Sequence, residues 1–270
     1  MTRSALSRTV HALPTLLRIG VAETVAYRGE FLIWILTTTQ PLIMLGLWTS
    51  VARDAPFGPY SSSQFVAYFL ASLLVRQLTG NWVAWQMSEE VRSGAMAMRL
   101  LRPLHPFFAF AASHVAAIPL RSIIALPIAI ALLVSSGASV LTTDPLQLVA
   151  VIPSIGFAWL ITFAMLFAIG SLAFFLTQTM AIANLYFALF ALFSGYVMPL
   201  ALLPGWIRSL ATWLPFRSML SIPVEILTGV HSRAALGALL AGQAAWAVGA
   251  MAIALVTWHL GVKRFESVGG

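Results

Sequence analysis

The residues best equipped for chemistry crowd into one stretch. Glu89, Glu90, Arg92, Arg99 and Arg102 fall within fourteen residues of a chain that is only 9% charged. Such a density is not accepted by lipid, where each charge at mid-bilayer costs at least a few kcal/mol, so the stretch is an aqueous island between apolar segments. Its chemistry is ionic recognition rather than catalysis. His11, His105, His114, His231 and His259 are scattered, with no His-x-x-x-His pair and no Gly-x-Ser-x-Gly elbow. There is no cysteine, and the single lysine, Lys263, follows Gly261-Val262, so it is not the lysine of a phosphate-cradling loop. A charged knob with no chemistry of its own reads as a docking point for a soluble partner.

Local signals shape the knob. Ser88 is placed to cap a helix carrying Glu89 and Glu90 in its first turn, where carboxylates favour the positive helix end. Gly94 interrupts that helix, a second short helix is expected over Ala95–Leu101, and Pro103 stops it by biasing Arg102 away from helical backbone.

The elements that hold this knob must be membrane helices. The chain has 270 residues, 60% of them hydrophobic, and its charge content lies far below the roughly 25% of soluble domains. The formal charge of +7 is dispersed, which excludes a nucleic-acid surface and fits orientation of loops in a membrane. Six uncharged or nearly uncharged segments are expected to cross: Phe31–Val51, Gln64–Met87, a third starting near Ile118, Leu146–Leu176, Met180–Met198 and Ala234–Leu260. Phe107–Ala117 is expected at the interface, with Arg121 reaching the inner headgroups. Residues 1–30 read as an amphipathic helix lying in the headgroup plane. Thr177-Gln178-Thr179 is expected to be a tight inner turn. Pro199–Arg233 is expected to be an outer re-entrant hairpin of two short amphipathic helices, with Arg208, Arg217 and Glu225 on their wet sides. This assignment places nine basic residues inside and four outside, with both termini cytoplasmic. The fold class is thus an all-α membrane protein, a single domain over 1–270 with the knob at 87–106.

The second span is less pure than the others. Tyr68, Ser72, Arg76 and Thr79 fall within about 80° of one another at 100° per residue, a polar stripe that should face protein or water. With Asn81 and Trp85, and with Asn184 and Phe187 on the fifth span, it is the candidate pathway lining. Ordinary helix packing explains such aromatics equally well.

Two motifs resemble those of a known family. Glu89-Glu90-x-x-Ser93-Gly94 followed by Leu100-Leu101-Arg102-Pro103 is similar to the coupling-helix region of the permease subunits of type-2 ABC transporters, closest to the branch with a Leu-Leu-Arg-Pro signature that includes exporters of toxic organic cations. Gly195-x-x-x-Pro199, Leu203-Pro204-x-Trp206 and Trp213-Leu214-Pro215 resemble that family's outer hairpin. The resemblance implies half of a dimeric pore in the cell membrane, paired with a second permease subunit. It implies a separate ATPase, binding ATP and Mg itself, docked on Glu89 to Pro103. No cofactor is implied for this chain. A cationic substrate would have to pass Arg76, which argues for an amphipathic or lipid-like one instead.

Overall fold

The computed structural model describes residues 40–135 and 141–265, together with Pro14, Thr15, Arg18 and Gly20 near the start. The expected surface helix over 1–30 and the part of the first span before Gln40 lie outside the described residues, as does the side chain of Arg121. The described chain is helical: α1 Gln40–Val51, α2 Ser62–Thr79, α3 Val83–Arg92, α4 Ala95–Leu100, α5 Pro106–Ala116, α6 Ile118–Ser135, α7 Pro145–Ser171, α8 Met180–Phe193, α9 Gly205–Trp213, α10 Pro215–Met219, α11 Ser221–Leu227 and α12 Arg233–Val262. Two of these, α7 with its 3-10 extension to Phe174 and α12, are each 30 residues of apolar helix. At 1.5 Å per residue that is about 45 Å, more than the roughly 30 Å hydrocarbon layer. α8, at 14 residues, reaches only about 21 Å.

α7 is the central post. Its Ala158, Ile161, Phe163, Ala164, Leu166 and Phe167 are buried. α12 lies along it through Ala247, Ala250 and Ala254, small residues that let two backbones approach where lipid offers no hydrophobic gain from association. Buried Gln243 ties this pair together and to α10, donating to the carbonyls of Ser154 (3.2 Å) and Ser218 (2.8 Å). The amide sits in an apolar run and carries no pattern signal of its own.

The expected second span is two helices. Ser61 and Gln64 form a reciprocal capping box that starts α2. α2 ends at Gly80, whose backbone is extended, and Asn81 bridges the break only with long contacts, 3.5 Å to Thr79 O and 3.5 Å from Val83 N. α3 then packs on the lower end of α7, where Gly170 meets Met87 and Ala84: a Cβ there would lie 2.9 Å from the Met87 Cβ and 3.1 Å from the Ala84 Cα. Ser88 lies inside α3 rather than capping it. Its hydroxyl donates to Ala84 O (2.8 Å) and meets the Thr179 hydroxyl at 2.6 Å, fastening the knob helix to the inner turn.

α5 packs inward, and two expected boundaries are corrected. One face of α5 is covered by protein: Phe107 packs edge-on against Phe163 and Phe167 at 5.2 and 5.0 Å, and His114 is buried beside Trp82, rings 4.6 Å apart. The fifth helix ends at Phe193, five residues before Met198, because Gly195 takes a left-handed conformation (φ +85°). There the Tyr68 hydroxyl donates to Gly195 O at 2.9 Å. The proline-bounded segment holds three helices, not two, since the chain breaks again at Leu220.

Candidate functional site

The knob is built by α3, the Gly94 turn and α4. Gly94 has φ +77°, a left-handed geometry that glycine adopts without the Cβ clash of other residues. Ser93 Oγ donates to Glu89 O at 2.8 Å as α3 ends. The turn folds α4 back so that Arg99 reaches Glu90 across nine residues. Arg99 Nε donates to Oε2 at 2.6 Å and a terminal nitrogen to Oε1 at 2.5 Å. The same guanidinium lies over the Phe110 ring, 4.0 Å from its centroid. The Arg99 and Glu90 side chains are only 19% and 16% exposed. Both were expected among the docking charges; the structure spends them on holding α4 against α3 and α5.

What the knob presents outward is therefore different. Glu89 and Arg92 pair at 2.6 Å on the exposed side of α3. Met98 (67% exposed) and Leu101 (78% exposed) project from the tip beside exposed Arg102 and Pro103, while Met96 fills the interior. An apolar pair rimmed by charge suits a protein surface better than water. Beside the knob, a cavity of about 260 Å³ is lined by Trp85, Ser88, Arg92 and the inner turn Thr177–Ala181.

The residues expected along a pathway do not share one surface within the chain. Tyr68 and Ser72 are buried, the Ser72 hydroxyl donating back to Tyr68 O at 2.8 Å. Asn81 is buried at the α2–α3 break. Trp85 is exposed near the knob, and Asn184 and Phe187 lie on the outward side of α8. Arg76 is partly exposed, with its guanidinium 5.1 Å from the Phe190 ring centroid and 5.8 Å from that of Tyr196.

On the opposite side, Pro199 precedes a 3-10 turn, Pro204 caps α9 and Pro215 starts α10. Trp206 and Trp213 stand exposed on α9. Arg217 and Glu225, expected on wet faces, are instead mostly buried partners. Glu225 Oε2 lies 3.0 Å from Arg217 and 2.7 Å from His231 Nε2, and Oε1 accepts from Ser221 Oγ at 2.8 Å. Burial pushes the Glu225 carboxyl up, but His231, Arg217 and Ser221 outweigh it and hold it below the usual carboxylate range. Because its folded pKa is depressed, this group stabilises the fold fully above the ordinary carboxylate value and ceases to do so as pH falls through its folded value. The expected result is a melting temperature that declines as pH drops below about 4, with a smaller decline in Glu225→Gln, read by thermal denaturation in detergent. An identical acid profile in the two proteins would remove this assignment.

A family model described as ABC-2 family transporter protein matches residues 35–269. No curated protein matches the chain.

Proposed function

Because this chain belongs to the ABC-2 transporter family, a membrane-embedded transport component, we propose that it is the permease subunit of an ATP-driven exporter and forms half of a dimeric translocation pathway with a second permease. The reading takes six spans, both termini cytoplasmic, residence in the cell (inner) membrane, and an outer hairpin over 199–233 that does not cross. ATP and Mg belong to a separate ABC ATPase. The observation that carries the reading is the knob: a helix-turn-helix clamped from within by Glu90 and Arg99, so that Met98 and Leu101 stand out to be covered. The ATPase docks there, and closure of the ATPase on nucleotide tilts the helices above, switching the pathway between two states. Exposed apolar helix and the scarcity of charge along the spans favour a hydrophobic or amphipathic substrate.

The test is capture of the ATPase by the tagged permease. Met98→Asp with Leu101→Asp leaves membrane insertion and yield unchanged, since both side chains are already exposed. Capture falls at least about tenfold, as expected when central apolar anchors of an interface are replaced by charge. Undiminished capture and undiminished nucleotide-driven transport in the double variant would rule out docking at this tip.

A further inference from the structure

We propose that Arg76, framed by Phe190 and Tyr196, is a binding subsite for the anionic group of an amphiphile. This deepens the transport reading by naming a substrate class, and it rests on that reading. Arg76 lies 14 residues beyond Ser62, the first residue of α2, or about 21 Å along the helix, and 13 residues before Glu89 on the knob. That is mid-depth between the two ends of the broken helix pair. An isolated charge there is unfavourable, and arginine does not escape the cost by losing its proton.

The surroundings recover little of that cost. Among the described residues Arg76 has no carboxylate partner, and its Nε is buried without a hydrogen bond. What it has are two ring faces, those of Phe190 and Tyr196. Aromatic faces attract a cation but leave most of its five donors unused. A phosphate, sulfate or carboxylate would take two of them in a fork. The side chain remains partly exposed, and Phe190, over which it lies, stands one turn along α8 from exposed Phe187. A hydrated inorganic anion does not enter a bilayer to that depth. An anion carried on an apolar tail does. The tail can lie along the exposed apolar residues of α8 while the head meets the guanidinium.

The probe is dodecyl phosphate, added to the full-length protein in dodecyl maltoside. At saturation it raises the wild-type melting temperature by about 4 °C or more and does not raise that of Arg76→Gln. Dodecyltrimethylammonium raises neither. Arg76→Lys keeps the charge and keeps a reduced response, so it carries the test should Arg76→Gln fail to fold; a complete loss in a folded Arg76→Lys overturns the proposal. An equal rise in Arg76→Gln overturns it, as does an equal rise with the ammonium amphiphile or with inorganic phosphate alone. Two arms separate the sources of the anion. Anionic phospholipid that co-purifies with wild type and not with Arg76→Gln identifies a resident lipid. Stimulation of the partner's ATP hydrolysis by dodecyl phosphate, present with wild type and absent with Arg76→Gln, identifies cargo. Capture of the ATPase does not pass through Arg76, so it stays normal in both variants, and its loss in wild type would instead count against the docking reading.

Discussion

Replacing Gly195 by valine leaves almost no folded protein to purify. Gly195 sits at φ +85°, and a Cβ there would collide with the Tyr68 hydroxyl and approach Ser221 Oγ at 3.3 Å. A β-branched side chain in left-handed backbone is itself strained by about 1–2 kcal/mol. Forcing extra carbons into a filled site adds typically 1–3 kcal/mol, and the Tyr68–Gly195 hydrogen bond, worth about 1 kcal/mol, is lost with the displacement. The sum of about 3–6 kcal/mol is a large part of the 5–15 kcal/mol that keeps a domain folded. Tyr68→Phe removes only the hydrogen bond and is expected to purify normally, with a slightly lowered melting temperature. Yield, size-exclusion profile and melting temperature measured side by side decide the matter, and a Gly195→Val protein that purifies and melts like wild type would show that the close approach is not there.

Arg99→Ala is expected to disable the protein without removing it from the membrane. The guanidinium supplies two charge-assisted bonds to Glu90 and covers Phe110. Without it a mostly buried carboxylate keeps only a long 3.5 Å contact from the Gln86 amide, a change of about 3 kcal/mol for such pairs. That loss falls on a small element at the edge of the fold, whose local opening costs less than global unfolding. At 1.4 kcal/mol per factor of ten, the ordered knob becomes roughly a hundredfold rarer relative to its open form. Partner-stimulated ATP hydrolysis therefore falls at least tenfold while yield changes little. A double-mutant cycle with Glu90→Ala isolates the pair: the double variant is less impaired than the sum of the singles because no orphaned charge remains. Additive singles would mean that the two side chains do not act on one another.

Much of the knob was legible in the sequence because its signals are local. Charge among apolar residues, Gly94 and Pro103 located it, and α4 indeed ends at Leu100, ahead of the proline. The long α7, the break at 177–179 and the helix start at Ile118 were legible for the same reason. The Glu90–Arg99 clamp was not, because a pairing nine residues apart needs the Gly94 turn to be drawn first. Nor was the inward Glu225 network, where charges on short helices read as wet until Arg217, Ser221 and His231 are seen to converge. The break at 80–82 did leave a trace in Gly80-Asn81, a pair of turn-forming residues inside an otherwise helical pattern. Ser194-Gly195 ended α8 in the same way, before Pro199 could.

The break between α2 and α3 decides where a mechanical load applied to the knob would travel. α3 is held to α7 by the tight Gly170 approach and to the turn before α8 by the Ser88–Thr179 bridge, whereas three non-helical residues separate it from α2, with Asn81 making long contacts across them. A torque on α3 is thus carried upward by the central post and by α12 lying along it. α2, with Arg76, receives it sideways, through its own packing on α7, rather than along a continuous helix axis. The break thus makes the two halves of the expected second span separate levers: α3 is tied to the foot of the post, and α2 follows as far as its side contacts carry it.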